Sequence, residues 1–240
     1  NASSITTDNI ATELTNDLNS NLSGYTVSRD GSIIYVSKNS GTFTASVSDG
    51  LGGDGLILIK DKTNSFADLP YKGYTGFVTE IIGDGGTEFD NYFVKWDGNA
   101  WVETVKDGLD NSFDTSTMPH LLIRTADGNF RFCKADGSAY TVGGSSYTEP
   151  EFASRTVGDE VTSPDPTFVG RKINDIFCYR NRLGFLADEN VIFSKAGKFF
   201  TFWATTVTTA IDDDMIDLAV SHNKVSILKY AVPFNEQLVL

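Results

Sequence analysis

The stretch from Tyr179 to Trp203, YRNRLGFLADENVIFSKAGKFFTFW, decides the fold class. RLGFLA (182–187) and VIFSK (191–195) are short apolar or alternating runs, and Asp188, Glu189 and Asn190 between them are hairpin punctuation. A second turn at Ala196 and Gly197 leads into FFTFW, which brings Phe199, Phe200, Phe202 and Trp203 into five residues. Each such ring buries about 150–250 Å², so this block is expected to be a packing hub. It holds no histidine, no cysteine and no pair of acids spaced as proton donor and base.

Working outward, the 240 residues suffice for one large β domain or two ordinary ones with a sizeable core. Abundant Gly, Ser, Thr, Asp and aromatics, with only 6 Pro, favour strands and turns over long helices. The expectation is a mainly β protein. Lys and Arg number 19 against 32 Asp and Glu, a net charge of −13, which argues against tight binding to a phosphate backbone. The same repulsion suits a conduit through which DNA slides without sticking, and it equally fits any acidic protein.

Cys133 and Cys178 match no CxxC spacing and lie in apolar, strand-like contexts, so both are expected as buried free thiols. No run of 18 apolar residues calls for a membrane span. The sequence opens without a Met and ends inside the strand-like EQLVL, which leads to the expectation of a piece of a longer protein.

Along the chain, Asp8 to Leu22 is the one convincing helix, capped by Thr7 or Asp8 and carrying Ile10, Ala11, Leu14 and Leu18 on one face. YTVSR and SIIYVSK form a hairpin about Asp30 and Gly31, with FTASVSD as a third strand. GLGGDG (50–55) invites a phosphate-loop reading, but it lacks GK[ST] and is followed by the strand-like LILIK, so a flexible connection is expected. SFADLP reads as one helical turn stopped by Pro70. GFVTEII, NYFVKWD and AWVETVK read as a three-stranded antiparallel meander, and HLLIRTADGNFRFCK as a further hairpin.

Candidate chemistry is thin. Asp84, Glu88 and Asp90 do not fit the EF-hand spacing and read as solvated turn carboxylates rather than a calcium site. His120 and His222 have no neighbours arranged for nucleophilic catalysis. Asp212, Asp213, Asp214 and Asp217 read as turn caps or subunit contacts, because successive residues of an extended chain point in alternate directions. Trp96 and Trp101 have two readings, as half-buried core of the meander or as an exposed platform stacking on sugar rings. No catalytic residue, metal ligand or cofactor is assigned.

From Asp136 to Ser163 the composition thins into Gly, Ser, Thr and acids, read as a linker or long loop holding a domain boundary. Beyond it INDIFCY, VSILKYA and EQLVL are further strands. The expected layout is a small α+β domain over 1–145, a connection over 146–172, and a further β region over 173–240.

The segments SVSDGLGGDG, SFADLP, GFVTEIIGD, YFVKWDGNAWVETV, STMPHLLIR, PTFVGRKINDIFCYRNRLGFLADENVIFSKAGKFFTFW and IDDDMIDLAVSHNKVSILKYAVPFNEQLVL resemble, in this order, the tail tubular protein B family, the nozzle proteins of short-tailed double-stranded DNA bacteriophages. The resemblance covers most of the chain from about Phe43 onward. It implies a longer protein built around a β-propeller, of which 173–240 would hold the first strands. Blades are four-stranded antiparallel sheets, so an incomplete propeller would leave an unpaired sheet edge prone to association or local disorder at its end. It also implies a hexameric ring in the virion tail tip, next to an adaptor ring of the tail tubular protein A type and to tail fibres, with DNA passing through without tight binding. The function implied is a structural one, in DNA retention and ejection. The alternative is a tail component that binds host-surface polysaccharide or depolymerises it, the latter through two carboxylates facing the scissile bond.

Overall fold

The computed structural model describes residues 5–83, 91–221 and 226–240, so Asp84, Glu88, Asp90, His222 and Asn223 lie outside the described residues. The chain divides into two compact units, 1–102 and 103–240. Across the described residues it is mainly β, with one α-helix and several small sheets.

In the first unit, helix α1 spans Thr7–Asn21. Its cap is Thr6, one residue before the expected candidates, because Thr6 holds extended backbone and its hydroxyl accepts the Asn9 N–H at 3.2 Å. The apolar face is narrower than its periodicity suggests. Ala11 is buried and Leu14 and Leu18 half-buried, while Ile10 faces solvent. The helix lies on a two-stranded hairpin, β1 (Tyr25–Asp30) and β2 (Ile33–Lys38), which covers only a narrow stripe.

That hairpin pairs Tyr25 with Lys38 and Asp30 with Ile33, and Gly31 supplies the positive φ that its turn requires. FTASVSD and LILIK, expected as strands, form none. Among the described residues neither has a neighbouring strand to exchange backbone hydrogen bonds with, and β-propensity alone does not make a sheet.

The meander is present as β4 (Val78–Ile81), β5 (Tyr92–Trp96) and β6 (Trp101–Thr104), and the unit division falls inside β6. A two-residue strand, β3 (Lys62–Thr63), adds in parallel to β4, giving the order β3-β4-β5-β6. SFADLP holds a single 3₁₀ turn, Phe66–Asp68, capped by Ser65. Buried Thr79, Ile81, Phe93, Val94 and Trp96 form this sheet's core.

The second unit carries the hairpin of β7 (Leu121–Arg124) with β8 (Phe130–Cys133), as expected. A second hairpin, β9 (Ala139–Val142) with β10 (Ser145–Thr148), lies within the polar stretch expected to be a linker or long loop. Its signal was Gly143–Gly144, both at positive φ, between AYTV and SSYT. Residues 146–172 are mostly irregular in backbone, yet they are packed rather than free-running: Phe152, Arg155, Val157, Ser163 and Phe168 are all buried.

The principal sheet has four antiparallel strands in chain order: β11 (Ile173–Tyr179), β12 (Arg182–Ala187), β13 (Asn190–Phe193) and β14 (Ile216–Ala219). One predicted strand, VSILKYA, is corrected here, and the run after the second turn takes irregular backbone. FFTFW is irregular, tied back by Lys195 N–H to Thr201 O at 2.8 Å, and the described part of VSILKYA is not a strand. EQLVL does hold one, β16 (Gln237–Val239), which pairs with β15 (Val232–Phe234).

Strand β12 is covered on both faces: Phe185, Leu186 and Ala187 are all fully buried. Phe185, opposite Ile192, points into one cluster with Ala187, while Leu186, opposite Val191, points into another with Phe177. Gly184 shares the second face and sits opposite Phe177, where a Cβ would overlap the Phe177 ring. Gly184→Ala is therefore expected to lower stability by about 1–3 kcal/mol through overpacking. The double variant with Phe177→Leu should recover part of that loss in chemical denaturation, and equal losses in single and double variants would disprove the steric account.

Candidate functional site

The aromatic hub is the best-defined constellation in the second unit. Phe202 stacks on Phe185 at 4.9 Å and 14°, and Phe168 meets both edge-on at 5.1 and 5.2 Å. Trp203 stacks on Phe113 at 4.8 Å and donates its indole N–H to the Ala153 carbonyl at 2.9 Å. Phe200 is half-buried, edge-on to Phe152 at 5.2 Å. Phe199, expected in the hub, is 41% exposed and absent from this cluster. The irregular backbone after Gly197 lets neighbouring rings point differently from a strand's strict alternation, so three of the four aromatics pack inward.

The polar groups that fix the hub gave no sequence signal, because their partners are remote in the chain. The Arg155 side chain is 2% exposed, lies 4.5 Å over the Trp203 ring and donates to Asp165 at 2.5 Å. Its Nε and Nη1 find no acceptor among the described residues. Arg182 donates to the carbonyls of Ser194 (2.8 Å), Asp212 (2.9 Å) and Asp214, clamping the acidic loop to the sheet. The Glu103 carboxylate accepts Thr206 Oγ1 at 2.6 Å and the Val207 N–H at 2.8 Å.

Of the four aspartates read as turn caps or subunit contacts, two accept backbone N–H groups. Asp214 accepts from the Thr205 N–H and hydroxyl, and Asp217 from the Thr167 N–H (2.7 Å) and Asn190 Nδ2 (2.9 Å). Asp213 lies 3.5 Å from Lys195 Nζ, and Asp212 is exposed. Among the described residues no three His, Cys, Asp or Glu side chains come together as a metal group.

A cleft of about 1040 Å³ in the same unit is lined by Asp110, Asp114, His120, Asp165, Arg171 and Asp175, among others. Its carboxylates are engaged locally. Asp110 caps the Ser112 N–H (3.2 Å), Asp114 binds the Ser116 hydroxyl (2.6 Å), Asp165 pairs with Arg155, and Asp175 accepts the Ala231 N–H (2.9 Å). His120 stacks on Phe132 at 5.3 Å. Cys133 is buried and Cys178 exposed, so only the first matches expectation; burial, with Glu149 nearby, pushes the Cys133 thiol up.

In the first unit, Trp96 is 8% exposed and Trp101 half-buried, with their rings edge-on at 5.6 Å. Trp101 donates its indole N–H to the Pro70 carbonyl at 2.8 Å. A Cβ on Gly73 would come within 2.7 Å of the Trp96 Cβ and 2.9 Å of Trp101 Cζ2, so backbone covers the pair closely. The core reading of these tryptophans describes their geometry.

The glycine loop does cradle an anion, but the anion is its own Asp49. That carboxylate accepts the N–H groups of Leu51 (3.0 Å), Gly53 (2.7 Å), Gly55 (2.6 Å) and Leu56 (2.9 Å). The backbone bonds, Gly53 first, hold its pKa below the ordinary value. A depressed carboxylate stabilises the loop above its unfolded pKa of about 3.9, and the contribution disappears as pH falls through the lower folded value. These four amides should therefore stay protected from hydrogen exchange at neutral pH and lose protection only below that range. In Asp49→Ala they should exchange rapidly at pH 7, and unchanged protection would refute the cradle. Phe202→Ala, which empties the centre of the hub, should cost about 3–5 kcal/mol by denaturant titration.

Compared with known proteins, residues 1–240 match the model of a family described as "Bacteriophage nozzle protein". The chain is also 38% identical over 237 residues to the tail tubular protein gp12 of Escherichia phage T7, a match that takes in 96% of this chain and 28% of that relative. The chain thus spans little more than a quarter of the relative's length. With the whole chain matched and more than a third of its residues identical to a tail tubular protein, this chain belongs to the bacteriophage nozzle protein family.

Proposed function

We propose that this chain is part of a structural subunit of a phage tail nozzle, a ring at the tail tip that extends the DNA channel, retains the genome and lets DNA pass during ejection into the host. The observation that carries this reading is the nozzle family match over all 240 residues. The acidic balance supports it, since a stretch with net charge −13 repels rather than grips a phosphate backbone.

Within that subunit we read 173–240 as the opening of a β-propeller, joined through 146–172 to a small α+β domain over 1–145. Sheet β11–β14 has the strand count and up-and-down order of one blade, and β15–β16 follows it as the start of another. Ring closure in a homo-oligomer, a hexamer on this reading, would use side faces of the subunit. The ring would stack on an adaptor ring of the tail tubular protein A type and carry tail fibres. The role is that of a scaffold rather than an enzyme. A polysaccharide-binding or polysaccharide-degrading role gains no support from Trp96 and Trp101, whose rings are spent on core packing.

Electron microscopy of the full-length protein with its neighbouring tail ring is expected to show a sixfold ring with this segment by the channel. A monomer under all assembly conditions would overturn the proposal. Purified protein should show no retention of duplex DNA at about 0.15 M salt, and strong retention would rule out the sliding-conduit mechanism.

A further inference from the structure

Hairpin β7–β8 has two different faces. Leu121 packs against the aromatic core and Cys133 is buried, so the face they share is turned inward. On the other face Leu122 lies opposite Phe132 and Arg124 opposite Phe130. These apolar side chains are far from buried: Leu122 and Phe130 are each 67% exposed and Phe132 is 72% exposed. The imidazole of His120, stacked on Phe132 at 5.3 Å, extends the patch. The hairpin is a two-stranded sheet, so among the described residues no further strand flanks it.

Contiguous aromatic and aliphatic surface with an arginine at its edge is the composition of an interface centre rather than of ordinary protein surface. Charge decides what covers it. The Arg124 guanidinium has no carboxylate partner among the described residues, and it stands on a chain with 32 acids against 19 bases. Two copies of such a chain repel each other over most of their surfaces. They attract best where an unpaired cation sits within an apolar patch and meets the acid-rich surface of a neighbour.

We infer that the outward face of β7–β8, comprising Leu122, Arg124, Phe130 and Phe132, is a contact surface for a second copy of this chain, Arg124 pairing with a carboxylate of that copy. The contact is head-to-tail, Arg124 of one copy meeting a carboxylate on a different surface of the next, and a head-to-tail contact makes a ring when its rotation closes. This rests on the proposed ring and adds the surface that holds it together.

The test uses the full-length protein, with mass measured across a concentration series. Wild-type protein first establishes whether a ring forms. If it stays monomeric, the ring reading fails and this surface falls with it. If it assembles, Phe132→Ser and Arg124→Glu should each weaken association about tenfold or more, while Arg124→Lys retains most of it. Tyr71→Ser, an equally exposed aromatic in the first unit, should leave association unchanged. Because the altered side chains are exposed, thermal unfolding of the separated subunits should match wild type. Assembly of Phe132→Ser and Arg124→Glu at wild-type strength, or equal weakening by Tyr71→Ser, would overturn the assignment and leave the face to another part of the protein or to a different partner.

Discussion

Strand β12 must bury both of its faces, and most of the second unit follows from that constraint. Phe185, Leu186 and Ala187 are consecutive and fully buried, so alternate side chains enter clusters on opposite sides of one sheet. A strand in this position requires cover from two directions. On one side the cover comes from Phe113, Phe152, Phe168, Phe202 and Trp203, carried largely by irregular backbone. On the other it comes from Phe177, Val191, Leu228 and Ala231. The first layer, and Leu228 and Ala231 of the second, lie on irregular backbone, so polar ties hold their shape.

Those ties account for many of the charged groups of the second unit. Aspartates at 110, 114, 127, 136 and 159 accept backbone or hydroxyl protons from residues two or three positions on, fixing turns rather than facing a reactant. Over longer spans Arg182 donates to carbonyls of the connection before β14, fastening it to the sheet, and Asp217 on β14 accepts the Thr167 N–H. Arg155 is the costliest group of this kind: it lies buried against Trp203 with one ion-pair partner and two donors that no described residue accepts.

Much of the fold was legible because its signals are local. The turns at Gly31, Asp188 and Asn129 punctuate hairpins whose strands pair as their spacing demands. Hairpin β9–β10 was equally legible through Gly143–Gly144, but the surrounding polar composition hid it. The errors share one cause. FTASVSD, LILIK and VSILKYA have strand-like composition, yet a strand exists only when a partner strand lies alongside, and nothing within seven residues reports that. Of the candidate site, the aromatic weight of FFTFW was evident, whereas the outward turn of Phe199 depended on backbone after Gly197.

By itself, then, the sequence determined the β class, the helix, the hairpin turns, the acidity and the family, since each is written in short-range pattern or in residue identity. Tertiary structure alone decided that Phe152 and Phe168, in the stretch before β11, are buried, that Trp96 and Trp101 are wedged beneath backbone, and that the glycine loop binds Asp49 instead of a phosphate. It also decided which face of β7–β8 stays uncovered. The physical reason is the same each time: burial and hydrogen-bond partnership are relations between residues distant in the chain, and period, propensity and charge describe only what lies close along it.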